Sequence, residues 1–425
     1  MRVDQSATAG GGASTQVNRA TMRTDLQFTT IIMTIALLLQ RFGLPVDGQS
    51  VSIVGPIGLA VFGYYLVRGT LVFDRRRVVL FLALLACATL GLAWRATGLG
   101  STGTDASMNS LLQFLILTSV ATVSFAEPVD EIQFYRVVTM LFLIVGVAGV
   151  LQFAAQFVGL RLFSFTGLLP DKLLFEQAYH LEIPVGVGDL LKSNGFFLVE
   201  PSVFSQLMAL ALIIELLALR RAFYVITFAA GLLLAFSGTG WIVILTFVLV
   251  APLRMGRRGL ALALAMIALL LVLASAATVL APDATKVFEA RLGEVSIPGT
   301  SGHLRFVTPF WVLSDVVSRT PSAALVGIGS GTAERLTMPY DYDVNTPVKI
   351  ALEYGFPALL AYVLLFVVAT RTAIQSALVV PAIVLFLFTG GYQQFPPMIF
   401  IVLLLISIAR LRPASPIAVP APAAR

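Results

Sequence analysis

Two short stretches of this 425-residue chain hold side chains able to move a proton or bind an anion: Glu200-Pro201-Ser202 and Gly302-His303-Leu304-Arg305. The first closes a polar block, Arg161 to Glu200; the second belongs to another, Ala281 to Val348. Glu200 precedes an apolar run, and Pro201 fits the first helical position, where the missing amide donor is harmless. A carboxylate there is favoured by the helix dipole by about 0.3–1 kcal/mol. It reads either as a simple helix cap or as an ionised base that takes a proton from a hydroxyl. His303 and Arg305 open an amphipathic segment, His303 to Arg319, that Pro309 kinks and that places Phe306, Phe310, Leu313 and Val317 on one face. An arginine there makes a lipid headgroup contact or offers a planar donor fork to phosphate. Lys192, Arg291, Arg319 and Arg335 are further cations, each either a solvated loop residue or part of the same anion site. His180 has no partner motif and reads as a loop residue.

Other polar positions are read more simply. Gly327-Ile328-Gly329-Ser330-Gly331 lacks the spacing and the following helix of a dinucleotide loop, and is expected to be a tight turn with amides open to an anion. Glu215 is expected to pair with Arg220 or Arg221 at the inner side. Glu353 opens a late apolar run and faces either a cavity or headgroups. Gln113, Gln152, Gln156 and Gln206 are expected to join helices by hydrogen bonds. One cysteine, Cys87, and two histidines make a disulfide framework or a multi-histidine metal centre unexpected. No cofactor is expected.

The elements that position these residues belong to a bilayer. The chain is 58% hydrophobic and 12% charged, with a mean hydropathy of +0.93, where soluble domains carry about 25% charged residues. Its apolar runs match a hydrocarbon core of about 30 Å, and only helices satisfy their own backbone in such runs. The expected fold is an all-α polytopic membrane protein with about twelve spans: Leu26–Gln40, Val51–Val67, Val78–Trp94, Met108–Phe125, Val137–Leu160, Pro201–Leu219, Ala222–Phe236, Trp241–Leu253, Gly259–Ala281, Val348–Thr370, Thr372–Tyr392 and Phe395–Ile408. Ser237-Gly238-Thr239-Gly240 is a turn or a kink. With twelve spans and the N-terminus inside, the short outer loops receive only Arg41 and Arg95, and Arg254 to Arg258 stays inside, as topogenic arginines do. Both polar blocks, 161–200 and 282–347, then face outward. Residues 1–25 are expected to be a disordered cytoplasmic tail, 26–412 a single catalytic domain, and 413–425 a Pro/Ala-rich cytoplasmic tail. Asp283 to Leu292 has helical character. The net charge of +6 reflects the topogenic arginines and not a nucleic-acid partner.

In chain order these motifs resemble those of the Wzy-like polysaccharide polymerases and O-antigen ligases of bacterial envelopes. The likeness covers residues 26–412. It rests on Gly195-Phe196 through Glu200-Pro201-Ser202, Ser237-Gly238-Thr239-Gly240, Gly302-His303-Leu304-Arg305, Pro321 through Gly331, and Asn345 followed by Glu353-Tyr354-Gly355-Phe356-Pro357. The Glu-Pro-Ser form is closer to xanthan-type exopolysaccharide polymerases than to lipopolysaccharide ligases. Two positions depart from the pattern. Lys192 stands where the family often has an arginine and lacks the bidentate fork; Val344 stands where a histidine often precedes the asparagine, which moves any histidine role towards His303.

The resemblance implies a GT-C-like fold and a metal-independent glycosyltransferase of the inner membrane. Its donor and acceptor would both be undecaprenyl-pyrophosphate-linked oligosaccharides, and a flippase and a chain-length regulator of the same pathway would be partners. Glu200 would be the base, with His303 as second choice, and Arg305 would hold the departing pyrophosphate together with Arg291, Arg319 or Lys192. Arg335, Asn345 and Glu353 complete the expected substrate-binding set. An O-antigen ligase would use the same chemistry on another acceptor. A transporter is disfavoured, because its functional charges sit at mid-membrane between two related halves, whereas these polar residues gather at the outer ends.

Overall fold

The computed structural model describes residues 11–46, 49–97, 106–165, 168–175, 181–186, 189–280, 293–370 and 377–412. Helices dominate it: α1 Gly11–Leu38, α2 Val54–Val67, α3 Arg75–Ala96, α4 Met108–Ser119, α5 Glu131–Ala155, α6 Pro201–Ile214, α7 Ala222–Leu234 and α8 Gly238–Leu280. The short helices α9 Ser301–Phe306, α10 Thr308–Arg319 and α11 Ala323–Val326 build the second polar block. Then come α12 Thr346–Thr370, α13 Val379–Phe388 and α14 Pro396–Leu403. Five of the helices are long and apolar enough to cross a membrane, and six shorter apolar ones accompany them.

Local chemistry sets the helix starts. Asp74 accepts from the Arg76 and Arg77 amides at α3, Ser107 from Ser110 at α4, and Asp130 from Gln133 at α5; each satisfies amides that an uncapped helix leaves bare. Two breaks shape the middle of the chain. Residues 235–237 separate α7 from α8, so only Ser237 of the Ser237-Gly238-Thr239-Gly240 motif lies in the break, and 238–240 form the first turn of α8. Inside α8, Gly256 is non-helical (φ 56°, ψ −134°). A Cβ on Gly259 would collide with the Ala251 carbonyl, whereas residues eight apart in one straight helix lie about 12 Å apart. The chain therefore doubles back in the Arg254–Arg258 loop, between the two expected spans Trp241–Leu253 and Gly259–Ala281.

Three differences from expectation stand out. The first helix begins at Gly11, inside the segment read as a structureless tail. The all-α reading missed three two-stranded sheets. Strands β1 Gly43–Val46 and β2 Gln49–Ser52 form a hairpin; β3 Leu71–Phe73 pairs antiparallel with β4 Val123–Phe125; β5 Val129–Asp130 pairs parallel with β6 Leu411–Arg412. Finally, α13 has only ten residues, about 15 Å of helix, where a span from Thr372 to Tyr392 was expected. The helical character assigned to Asp283–Leu292 lies outside the described residues, as does the 413–425 tail.

Helix α6 is the axis of the bundle, and almost all of its side chains are buried. Helices α5, α7, α8 and α13 pack around it; α3 lies along α12, and α1 touches α5 and α14. The large apolar side chains left exposed, such as Leu245, Leu249, Leu260 and Leu264 on α8 and Val79 and Leu82 on α3, line the outer helix faces, as lipid-facing residues do. Two buried polar clamps tie the bundle at the end opposite Glu200. Glu215 pairs with Arg221, as expected, and Arg221 also donates to Thr139 at 2.6 Å. Arg77 is fully buried and spreads its guanidinium over the carbonyls of Val123 (2.9 Å), Ala369 (3.0 Å) and Ser407 (3.2 Å). It is a structural tie between three elements, not merely a topogenic charge.

Candidate functional site

The loop that delivers Glu200 is held from both sides. Gln152 of α5 donates to Asn194 at 2.8 Å and to the Leu162 carbonyl at 2.7 Å, and its own carbonyl accepts from Ser193 (3.0 Å) and the Asn194 amide (3.1 Å). Gln156 makes a reciprocal pair with the Leu191 backbone, at 3.0 and 2.8 Å. On the other side the fully buried Arg41 donates to the carbonyls of Leu198 (3.0 Å) and Phe163 (2.7 Å), with its guanidinium 5.6 Å from the Phe165 ring. Buried polar atoms must find such partners, and here their pairing fixes the main chain two residues before Glu200. Glu200 has an extended backbone, and its carboxylate does not cap its own helix. Ser202 donates to one carboxylate oxygen at 2.8 Å; the other has no hydrogen-bond partner among the described residues.

Arg305 arrives from the second block, which has its own small core of Val312, Val316, Ala323, Ile328, Ala333, Val344, Val348 and Leu352. This core seats the block on the start of α12. The glycine turn is part of that seat: Gly327 lies against the Glu353 main chain and Gly355 against the Leu325 carbonyl, both so close that a Cβ would clash. Asn345 caps α12 by accepting from the Val348 amide at 3.2 Å, and its amide reaches the Arg305 carbonyl at 3.4 Å. The Asp343 amide donates to the Leu304 carbonyl at 3.2 Å, and the Asp343 carboxylate takes the Arg305 Nε at 3.3 Å. Both Nη groups of Arg305 are left without a protein hydrogen bond among the described residues. One edge of the guanidinium is thus fixed and the outer fork is open.

A third element completes the cluster. The turn after α13 carries Tyr392, whose hydroxyl donates to the Gln206 carbonyl of α6 at 2.8 Å. Thr346 pins that turn to the second block by donating to the carbonyl of Gly390 at 3.1 Å. Burial acts to lower the Arg305 pKa, but Tyr392, Asp343 and Glu200 together outweigh it and hold the guanidinium above its ordinary value. The Tyr392 phenol is pushed up to about 12, first by burial and then by Glu200, with Arg305 opposing. Glu200, Arg305 and Tyr392 therefore sit within electrostatic reach of one another, although they come from three separate parts of the chain.

Of the other expected site residues, His303 is buried beside Arg305, its Nδ1 has no hydrogen-bond partner among the described residues, and its ring stands edge-on to Trp311 at 5.2 Å. Lys192 is buried in the Glu200 loop, its amide bonded to the Ile183 carbonyl. Arg319 is 68% exposed and paired with Asp315 at 2.9 Å. Arg335 donates to the Gly331 carbonyl at 2.7 Å. Glu353 is buried, and its carboxylate accepts from the Ala333 amide at 3.4 Å, so it braces the glycine turn. Lys349 beside it joins Glu334 (2.6 Å) and Gln394 (2.8 Å). Arg291 and His180 lie outside the described residues.

Asp343, Tyr392 and Arg41 are the residues that motif spacing missed. The one signal for Tyr392 is compositional: Gly390-Gly391-Tyr392-Gln393-Gln394 is a polar insertion between two apolar runs. No group of three or more possible metal ligands occurs among the described residues.

A helical bundle with lipid-facing flanks and a carboxylate–guanidinium cluster at one end defines the chain as a polytopic membrane protein with a polar site built on its central helix. Residues 32–411 match the family described as WcaD colanic acid polymerase, and the chain belongs to that family of exopolysaccharide polymerases. No curated protein and no solved structure matches the chain.

Proposed function

We propose that this chain polymerises an exopolysaccharide at the periplasmic face of the bacterial inner membrane. A hydroxyl of the incoming lipid-linked repeat unit attacks C1 of the growing glycan. The C1–oxygen bond to undecaprenyl pyrophosphate breaks, and the pyrophosphate leaves with the bonding electrons. Glu200 takes the hydroxyl proton, and the open fork of Arg305 meets the charge growing on the leaving group. The reading is metal-independent, because the chain's own cations supply the positive charge. In this reading the chain crosses the membrane about twelve times with both polar blocks outside, and the reaction takes place at headgroup level, where a polyprenyl pyrophosphate presents its reacting atoms.

The observation that carries this reading is a half-buried carboxylate within electrostatic reach of a guanidinium whose Nη groups make no protein hydrogen bond among the described residues, inside a family of polysaccharide polymerases. The test is purified protein in proteoliposomes supplied with lipid-linked repeat units. Wild type should convert them to polymer, and Glu200→Gln should lower kcat by a factor of about 10²–10⁴. Wild-type turnover by Glu200→Gln would remove Glu200 as the base. Transfer only to a lipid A core or to a protein would make the chain a ligase.

A further inference from the structure

Helix α10 has three faces, and only two are accounted for. At about 100° per residue, Thr308, Pro309, Val312 and Val316 share the buried face. Phe310, Leu313 and Val317 form an apolar flank; Phe310 is 52% exposed, which suits contact with lipid. Trp311, Asp315, Ser318 and Arg319 form the opposite flank. There Trp311 is 49% exposed and stands edge-on to two rings, His303 at 5.2 Å and Tyr340 at 5.9 Å. The Asp315–Arg319 ion pair borders the same surface. Burial and the Asp315 carboxylate push the Tyr340 phenol up, with Arg319 opposing, so the ion pair and the phenol are electrostatic neighbours.

We infer that Trp311 and Tyr340, edged by Asp315 and Arg319, form a glycan-binding platform that holds sugar rings next to the reacting one. Trp and Tyr offer large, rigid, amphipathic contact area at low entropic cost, and a pyranose ring presents a flat C–H face to such surfaces. Its rim of hydroxyls needs the paired donor and acceptor that Arg319 and Asp315 supply. The alternative role for an exposed tryptophan in a membrane protein is interfacial anchoring, but the lipid-suited stripe of this helix lies on the other flank. The platform also runs directly into His303, two residues from Arg305, and the buried Nδ1 of His303 is a polar atom that lacks a hydrogen-bond partner among the described residues.

The inference rests on the polymerase reading for its ligand class, and the test separates the two. The chain has three tryptophans, so replacing Trp94 and Trp241 by Phe leaves Trp311 as the sole indole reporter. The probe is a set of oligosaccharides released by partial acid hydrolysis of the host's own secreted polymer. Their addition to the detergent-purified protein should give a saturable fluorescence change. In proteoliposomes, Trp311→Leu should raise the KM for lipid-linked repeat units by about tenfold, as truncation of an aromatic anchor does, with kcat nearly kept; Trp311→Phe should retain most of the affinity. Equal KM values for the Leu and Phe variants would make Trp311 an apolar anchor and overturn the platform. So would an unchanged fluorescence in protein that polymerises normally. Saturable binding in protein that makes no polymer would keep the platform and reject the polymerase reading.

Discussion

In the proposed mechanism Arg305 alone meets the charge of the leaving group. Its Nε is committed to Asp343 and its outer fork is open, so Arg305→Ala should abolish polymer while the protein still accumulates in the membrane. Arg305→Lys should fail to rescue it, because an ammonium has no planar fork; in vitro polymerisation with lipid-linked repeat units decides both. Tyr392 makes a different prediction. Its phenol, ordinarily near 10, stands at about 12, so the folded state favours the protonated form. That contribution to stability is complete below about pH 10 and is lost as pH rises through 12. Tyr392→Phe should therefore flatten the loss of melting temperature between pH 9 and 12, measured in detergent. Glu200 and Arg305 were legible from their motifs, but Asp343 and Tyr392 were not. The hydrogen bond from Tyr392 to Gln206 spans 186 residues, and nothing in local spacing encodes a contact made by helix packing.

Among the elements, the Glu200 loop shows what the sequence states and what it hides. The glutamines in apolar runs were expected to join helices; Gln152 and Gln156 instead bond the Glu200 loop, and Gln206 bonds the turn that carries Tyr392. Arg41 looked like an ordinary outer-loop charge, yet it is fully buried beneath that loop, where it donates to two carbonyls, and a carbonyl leaves no mark in the sequence. The strands escaped for another reason: two to four residues are too few for an alternating pattern to register. Arg41→Met should leave the carbonyls of Leu198 and Phe163 buried without donors, at about 1–3 kcal/mol each. A lower melting temperature, together with reduced kcat from a loosened Glu200, is the expected result; normal activity at full stability would show that the loop holds its shape unaided.

For the whole molecule, the apolar runs and the arginine distribution made the helical frame readable, since a bilayer restricts spanning backbone so severely. The break at Gly256 falls between the two apolar runs read as separate spans, Trp241–Leu253 and Gly259–Ala281. What the pattern could not supply was the mutual placement of the helices, which side-chain packing decides. At this scale the prediction concerns the cell: deletion should leave single lipid-linked repeat units accumulating without secreted polymer, read by profiling lipid-linked intermediates. Normal polymer that stays detached from its acceptor would indicate a ligase.

The hydrogen bond between Tyr392 and Gln206 also bears on the order in which the protein is made. The ribosome delivers Glu200 and its central helix while the turn that carries Tyr392 is still unsynthesised, and the strand that pairs with Val129 comes later still. A nascent chain already inserted in the membrane thus possesses the carboxylate and, after a further hundred or so residues, the guanidinium, but lacks the part that fastens them together. On the proposed function, catalytic competence would wait for the final helices, and a stalled or truncated product would occupy the membrane without making polymer.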